Sequence, residues 1–425
     1  MSDGPSQGRR RLPVTSSTIF PAYVVWELTL RCDLACHHCG SRAGRARPDE
    51  LSTDEALDVV RQLTDLGTRE VVLIGGEAYL HDGFLAVARA LTEAGIAATL
   101  TTGGRGITPE LAREMAEAGI QRVSVSIDGL QETHDRMRAW SGSFTAATQA
   151  LEHCHAAGLR TAANTNVNRL NRADLEGLYA HLKAHHVQAW QIQITTPLGR
   201  AADRTAMLLQ PWDLLDLMPR IAAIKRRAQA EGVLVLPGNN LGYFGPEEGL
   251  LRSPTPDATE HWHGCQAGRF VMGIESDGAV KGCPSLQTSH YVGGHVRERS
   301  IREIWTNTPE LAFTRTRTVE SLWGFCRTCP FAATCMGGCS FTAHALFGRP
   351  GNNPYCHFRA RQLAKSGQRE RLVARDAAPG RPFDHGLFEI VLEDLDAPDP
   401  DAAKPTVELV RIDRRPHRRD APPEP

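Results

Sequence analysis

Six β-rich runs alternate with helical stretches from about residue 23 to 232, and this alternation limits the fold more than any other feature. The runs are YVVWELT (23–29), EVVLIGG (70–76), AATLTTGG (97–104), RVSVSIDG (122–129), TAANTNV (161–167) and AWQIQITT (189–196). Between them, STDEALDVVRQLTDLG (52–67) places Ala, Leu and Val at helical spacing, with Ser52 or Thr53 as N-cap. GSFTAATQALEHCHAAG (142–158) repeats the pattern and ends on a glycine suited to a helix stop. Successive β–α units imply parallel strands joined by right-handed crossovers. Six units are too few for a closed eightfold barrel. The expectation is an α/β fold with an open, partial barrel whose functional groups gather at the C-terminal strand ends.

The alternation stops near 237, where PGNNLGYFGPEEGLLRSPTPDATEHWHG reads as a Gly- and Pro-rich linker. A cysteine-dense, loop-rich segment follows from 265 to 356. The expected organisation is a flexible N-terminal segment (1–22), a barrel (23–235), a linker (236–262), a cysteine-rich unit (263–372) and a Pro-rich tail (373–425). In the tail, LFEIVLED (387–394) and TVELVRI (406–412) are expected to pair before a disordered end. A chain of 425 residues, 41% hydrophobic, has ample material for a core. A formal net charge of −1 gives no basis for a nucleic-acid partner. No apolar run approaches the ~18 residues of a membrane span. MSDGPSQGRRRLPVTSST at the N-terminus lacks the apolar centre of a secretory signal. A cytoplasmic location is therefore expected, where disulfides are rare.

Eleven cysteines in such a compartment point to metal ligation. RCDLACHHCGS (31–41) spaces Cys32, Cys36 and Cys39 as C-x3-C-x2-C directly after the first strand. Structural zinc takes four ligands, and the fourth here would be His37 or His38, awkwardly wedged between the thiols. A four-iron cluster on three thiolates instead leaves one iron open. Zinc and an unligated redox set remain the alternatives on spacing alone. The later cysteines are Cys265, Cys283, Cys326, Cys329, Cys335, Cys339 and Cys356. Cys154 stands apart inside a helical stretch and reads as a small buried thiol.

The position of C-x3-C-x2-C after the first strand resembles the radical S-adenosylmethionine (SAM) enzymes, which have a partial (β/α)6, TIM-like barrel. The resemblance implies that Cys32, Cys36 and Cys39 hold three irons of a [4Fe–4S] cluster, while the amino and carboxylate groups of SAM chelate the fourth. His38 occupies a place that is usually aromatic in this family. IGGEAYL (74–80) looks like the family's GGE motif, so Gly75, Gly76 and Glu77 are expected at the SAM amino group. SVSIDG (124–129) offers Ser126 and Asp128 to the ribose hydroxyls. THDRMRAWSGSF (133–144) resembles a loop whose arginine reaches SAM, here Arg138 in preference to Arg136. TTPLGRA (195–201) would line the adenine side through Leu198 and Gly199. Thr101, Thr102, Asn164 and Asn166 are candidate wall positions.

The later array, with Gly278 between its first two cysteines, is similar to the SPASM extension of these enzymes. That similarity implies a loop-rich iron–sulfur domain with two auxiliary [4Fe–4S] clusters. Cys326, Cys329, Cys335 and Cys356 would close one, and Cys265, Cys283 and Cys339 would bind the other. Some relatives supply a further cysteine just before the array. Here ATEHWHGC carries His261 and His263 instead, which leaves an open iron, a histidine ligand or a substrate ligand. The family chemistry is reductive cleavage of SAM to a 5′-deoxyadenosyl radical that abstracts hydrogen from substrate. SPASM enzymes are mostly similar to peptide maturases, so a ribosomally made precursor peptide is the leading substrate. A small-molecule or sulfatase-type oxidation is the alternative, and a non-catalytic metal-stabilised protein a second one. The barrel begins at once, with no complete peptide-recognition domain before it, so a separate recognition protein or the C-terminal strands would take a leader. A flavodoxin or ferredoxin would donate electrons.

Overall fold

The computed structural model describes residues 19–255, 258–400 and 402, and of 288 and 289 the backbone alone. Seven parallel strands build the barrel sheet: β1 (Tyr23–Thr29), β2 (Glu70–Gly75), β3 (Ala97–Thr102), β4 (Arg122–Ser126), β5 (Arg160–Val167), β6 (Ala189–Ile194) and β7 (Leu234–Pro237). The expected strands are all present. β2, β3, β4 and β6 end sooner than expected, which leaves Gly76, Gly103, Ile127 and Thr195 to the loops at the barrel mouth. Helices α1 (Thr53–Asp65), α2 (Phe84–Glu93) and α3 (Pro109–Glu117) follow the first three strands. Helices α4 (Gln131–Arg138) and α5 (Ser143–Ala156) both follow β4, and α6 (Leu175–Ala184) and α7 (Leu214–Ala230) follow β5 and β6. The Ser52 hydroxyl caps α1, while Glu55 returns to the Ser52 backbone in a reciprocal capping box.

The sheet does not stop at the barrel. β8 (Val271–Ile274) pairs parallel to the free side of β1, and β9 (Ala279–Lys281) and β10 (Val292–His295) continue antiparallel. One ten-stranded sheet therefore carries the barrel and the start of the cysteine-rich region. Strands this short carry almost no alternation, so they are invisible in a periodicity reading. A buried charge network fastens the joint. Lys281 Nζ meets Glu275 Oε1 at 2.6 Å, and Arg47 pairs with Glu275 at 3.4 Å and with Glu27 of β1 at 3.0 Å.

One sequence expectation changes. The stretch 133–144, expected as a loop, begins in the helix α4, ended by Ala139 in the left-handed region at φ 55°, and ends in the first turn of α5. The strand expected at 387–394 is present as β12 (Leu387–Asp394) and runs antiparallel to β11 (Gln368–Asp376). The segment 406–412, expected as its partner, lies outside the described residues. The linker stretch also folds tightly. Leu241, Tyr243 and Leu251 are buried, and the Arg252 guanidinium donates to the Gly238 and Leu241 carbonyls at 3.2 and 2.7 Å.

Glu275 neutralises two cations at the joint, so its removal takes from buried Lys281 its ion-pair partner. Glu275→Ala is expected to destabilise the protein by about 3–5 kcal/mol. Anaerobic urea denaturation reads this as a lower midpoint, and an unchanged midpoint would remove the network from the joint.

Candidate active site

The loop after β1 is held from three directions. Within itself, Cys32 N–H donates to the Gly44 carbonyl at 3.1 Å and Gly44 N–H to that of Leu30 at 2.8 Å. From β2, the Gly76 and Glu77 amides donate to the Thr29 and Arg31 carbonyls, each at 2.7 Å. From α4, the Met137 carbonyl accepts from His37 N–H at 2.8 Å. Arg200, in the loop after β6, donates through Nε to the Cys36 carbonyl at 2.7 Å and through its backbone to Cys39 at 2.9 Å. Gly75 has φ 148°, and a Cβ there would stand 2.1 Å from the Thr29 carbonyl oxygen. A Cβ on Gly76 would stand 2.0 Å from that of Arg31. The glycines are thus required by backbone contact with the cysteine loop.

Glu77 is buried beside Cys32 and Asp33. Its carboxylate accepts from the Thr102 hydroxyl and, at 2.7 Å, from the Gly103 amide. Burial, followed by the Asp33 charge, pushes the Glu77 carboxyl up. A cation placed there would favour the carboxylate again. Asp128 is fully buried just beyond β4. Burial alone would raise its carboxyl, but Arg138 at 2.6 Å and His38 at 3.1 Å hold it far below the usual range. Its other oxygen accepts from the Asn166 amide at 2.8 Å. Arg138 also reaches the Cys36 sulfur at 3.6 Å, so one guanidinium spans the carboxylate and the thiol loop. Ser126 ends β4 opposite Asn164 of β5. Leu198 is buried against Ala345 and Phe383, and Gly199 N–H donates to the Asp384 carbonyl at 2.7 Å. The loop between β11 and β12 therefore covers this side of the mouth.

The seven later cysteines fall into two sets. Cys326, Cys329, Cys335 and Cys356 line one apolar pocket with Phe244, Phe325, Phe331 and Phe358. Cys265 and Cys339 pack in one cluster around Tyr243 and Trp262, and burial, then the charges of Cys265 and Cys339, push the Cys283 thiol up to about 12. Tyr243 stands between the sets: its hydroxyl accepts from Cys339 N–H at 3.0 Å, and its carbonyl faces the Cys356 sulfur at 3.7 Å. Trp262 Nε1 donates to the Cys335 carbonyl at 3.1 Å. His261 and His263 are exposed and lie ring against ring at 4.0 Å, with His261 next to Phe244. Gly278 turns between β8 and β9 at φ 91°. Cys154 is buried on α5, where burial pushes its thiol up to about 12.

All eleven cysteines are free thiols, most of them raised by burial and by neighbouring sulfurs. Such a set becomes thiolate only against a compensating cation, which fits thiophilic metal centres. Arg200, Tyr243 and Trp262 escaped the sequence reading. Each acts through backbone groups of cysteine loops, and no motif spacing reports that.

An open parallel barrel thus carries a thiol loop after its first strand and further thiols beyond it, the arrangement of a protein that holds thiophilic metal centres. Residues 26–182 match the model of the radical SAM superfamily, and residues 265–330 match the SPASM model, an iron–sulfur cluster-binding domain. The chain is 31% identical to the mycofactocin maturase MftC of Mycobacterium ulcerans, over 79% of this chain and 88% of that one. It is 29% identical to the AdoMet-dependent heme synthase of Methanosarcina barkeri, over 80% and 97%. Among solved structures, Streptococcus suis SuiB bound to S-adenosylmethionine superposes with a TM-score of 0.61 at 16% identity, covering 81% of this chain and 78% of that one. Native anSMEcpe with AdoMet and a Kp18Cys peptide gives 0.64 at 18%, covering 80% and 94%. The chain belongs to the radical SAM enzymes with a SPASM domain, and uses a [4Fe–4S] cluster, SAM and auxiliary iron–sulfur centres.

Gly76→Ala should force the Arg31 backbone away and loosen the thiol loop. The expected result is loss of the iron bound at that loop, with iron elsewhere retained, read by anaerobic iron and sulfide analysis. Full iron content in the variant would show that the contact is not required.

Proposed function

We propose that Cys32, Cys36 and Cys39 hold the cluster that SAM joins, and that the two later thiol sets each hold an auxiliary [4Fe–4S] cluster. The observation that supports this most is the division of ten thiols into one set at the barrel mouth and two beyond it. When bound, the cluster and SAM supply a 5′-deoxyadenosyl radical that abstracts hydrogen from substrate. Glu77, turned inward by Thr102 and Gly103, receives the SAM ammonium across Gly75 and Gly76. Ser126 and Asp128 take the ribose side and Leu198 the adenine side, while Arg138 keeps Asp128 ionised. The His38 and Asp33 side chains each retain a buried polar atom without a hydrogen bond, as a polar ligand would require.

The substrate in this reading is a ribosomally made peptide that undergoes an oxidative modification. Its support is the maturase relative and the outer edge of β12, which pairs with no strand among the described residues. An unpaired edge accepts an extended peptide backbone, directly or beside a separate recognition protein. An electron carrier such as flavodoxin or ferredoxin supplies reducing equivalents, and the protein works in the cytoplasm. No helix among the described residues is long and apolar enough to cross a membrane. Oxidation of a small molecule is the second reading, favoured by the heme synthase relative, nearly all of whose length is matched.

Deuterated precursor peptide, from a gene beside this one, is expected to pass deuterium into 5′-deoxyadenosine and to lose mass. Deuterium arriving from a deuterated haem precursor instead would establish the second reading. Alanine at Cys32, Cys36 and Cys39 together should abolish 5′-deoxyadenosine formation and leave about eight of about twelve irons.

A further inference from the structure

A second buried carboxylate stands beside Glu77 in the thiol loop, and none of the SAM contacts proposed above uses it. Asp33 is 4% exposed and Glu77 2%. One carboxylate oxygen from each residue and the Cys32 sulfur lie within 4.8 Å of one another. Asp33 Oδ2 accepts from the Tyr79 hydroxyl at 3.0 Å, and that hydroxyl accepts from the Gly106 amide at 3.0 Å. Arg105 donates to the Asp33 backbone carbonyl and lays its guanidinium over the Trp140 ring at 4.0 Å. Oδ1 of Asp33 is left buried, with no hydrogen bond among the described residues.

Tyr79 is itself buried, and its single hydroxyl proton is committed to Asp33, which fixes the direction of the carboxylate. A buried oxygen without a donor carries the full cost of its desolvation. Two carboxylates this close also repel each other. Glu77 holds one donor at each oxygen, from Thr102 and Gly103, and keeps lone pairs for a further one. A single ligand group relieves both residues if it is a polarised nitrogen that donates twice. An amino group that gives its lone pair to iron keeps two N–H donors, one for each carboxylate.

We propose that Asp33 is a binding residue for the amino group of SAM, which it receives together with Glu77. This rests on the reading that Cys32, Cys36 and Cys39 hold the cluster that SAM joins. The two carboxylates then select a ligand that carries an amine at this position, and Tyr79 holds the second of them in place.

The test is anaerobic calorimetric titration of the reconstituted full-length enzyme with SAM and with its deamino analogue, in which hydrogen replaces the amino group. Iron content and the electron paramagnetic resonance (EPR) signals of the reduced protein are checked alongside. Asp33→Asn keeps the shape and an acceptor for Tyr79 but removes the charge. It is expected to load iron at the wild-type level and to weaken SAM binding by about tenfold or more. Affinity for the deamino analogue should be unchanged, because that ligand offers Asp33 no donor. Where the analogue binds too weakly to read, 5′-deoxyadenosine, which also lacks the amine, takes its place. An Asp33→Asn variant that binds SAM as the wild type does would overturn the inference. So would an equal loss for both ligands, the mark of a damaged loop and not of a lost contact. Should Asp33→Asn fail to load iron, Tyr79→Phe decides, since it keeps both carboxylates but frees Asp33. It must weaken SAM more than the amine-free ligand, and equal effects would overturn the inference. A wild-type protein that loads iron at the thiol loop but binds no SAM would refute the underlying reading instead.

Discussion

A carboxylate with no solvent contact needs a counter-charge and hydrogen bonds, and Asp128 has both at the centre of the site. Its partners come from two places distant in sequence: Arg138 closes α4, and His38 stands inside the thiol loop. Because Arg138 also approaches the Cys36 sulfur, the position of the loop after β1 is coupled to the end of β4. Paired glycines after β2 complete the arrangement by letting two backbones touch. The thiol loop is therefore an inner wall of the barrel, set by charge on one side and by the absence of side chains on the other.

The cysteine-rich region depends on the barrel in a comparable way. It has few long elements, so it borrows order from β1 through β8 and from the segment around Tyr243 and Trp262. Tyr243 anchors the backbone of one thiol set and accepts order from the next, which fixes the spacing between two potential electron-holding centres. The loop before β12 returns to the mouth, where Phe383 N–H donates to the Gly40 carbonyl at 3.1 Å. Arg42 in the thiol loop pairs with Asp384 at 2.9 Å and with Asp203 at 2.6 Å. The chamber thus has three walls, drawn from the barrel, the SPASM region and the C-terminal hairpin.

Much of this is legible in the amino-acid order. β1 to β6 announce themselves by β-branched runs and intervening helical spacing, and cysteine spacing separates the first thiol group from the later one, whose further division only the family resemblance implies. What escapes does so for physical reasons. β7 to β10 are too short for a periodic signal and exist because a neighbouring edge accepts them. A Gly- and Pro-rich stretch reads as a tether, yet Tyr243 and Arg252 give it buried partners that composition does not reveal. The pairing of β12 with β11 joins two segments ten residues apart, and β11 carries the charged run QRER, which gives no alternating signal.

The loop of Cys32, Cys36 and Cys39 is proposed to carry a cluster with a coordination place kept for SAM. EPR of the dithionite-reduced protein, recorded with and without SAM, tests this most directly. The predicted result is that SAM alters one iron–sulfur signal and leaves the auxiliary signals as they were. A spectrum indifferent to SAM, or a protein that binds zinc in place of iron, would contradict it.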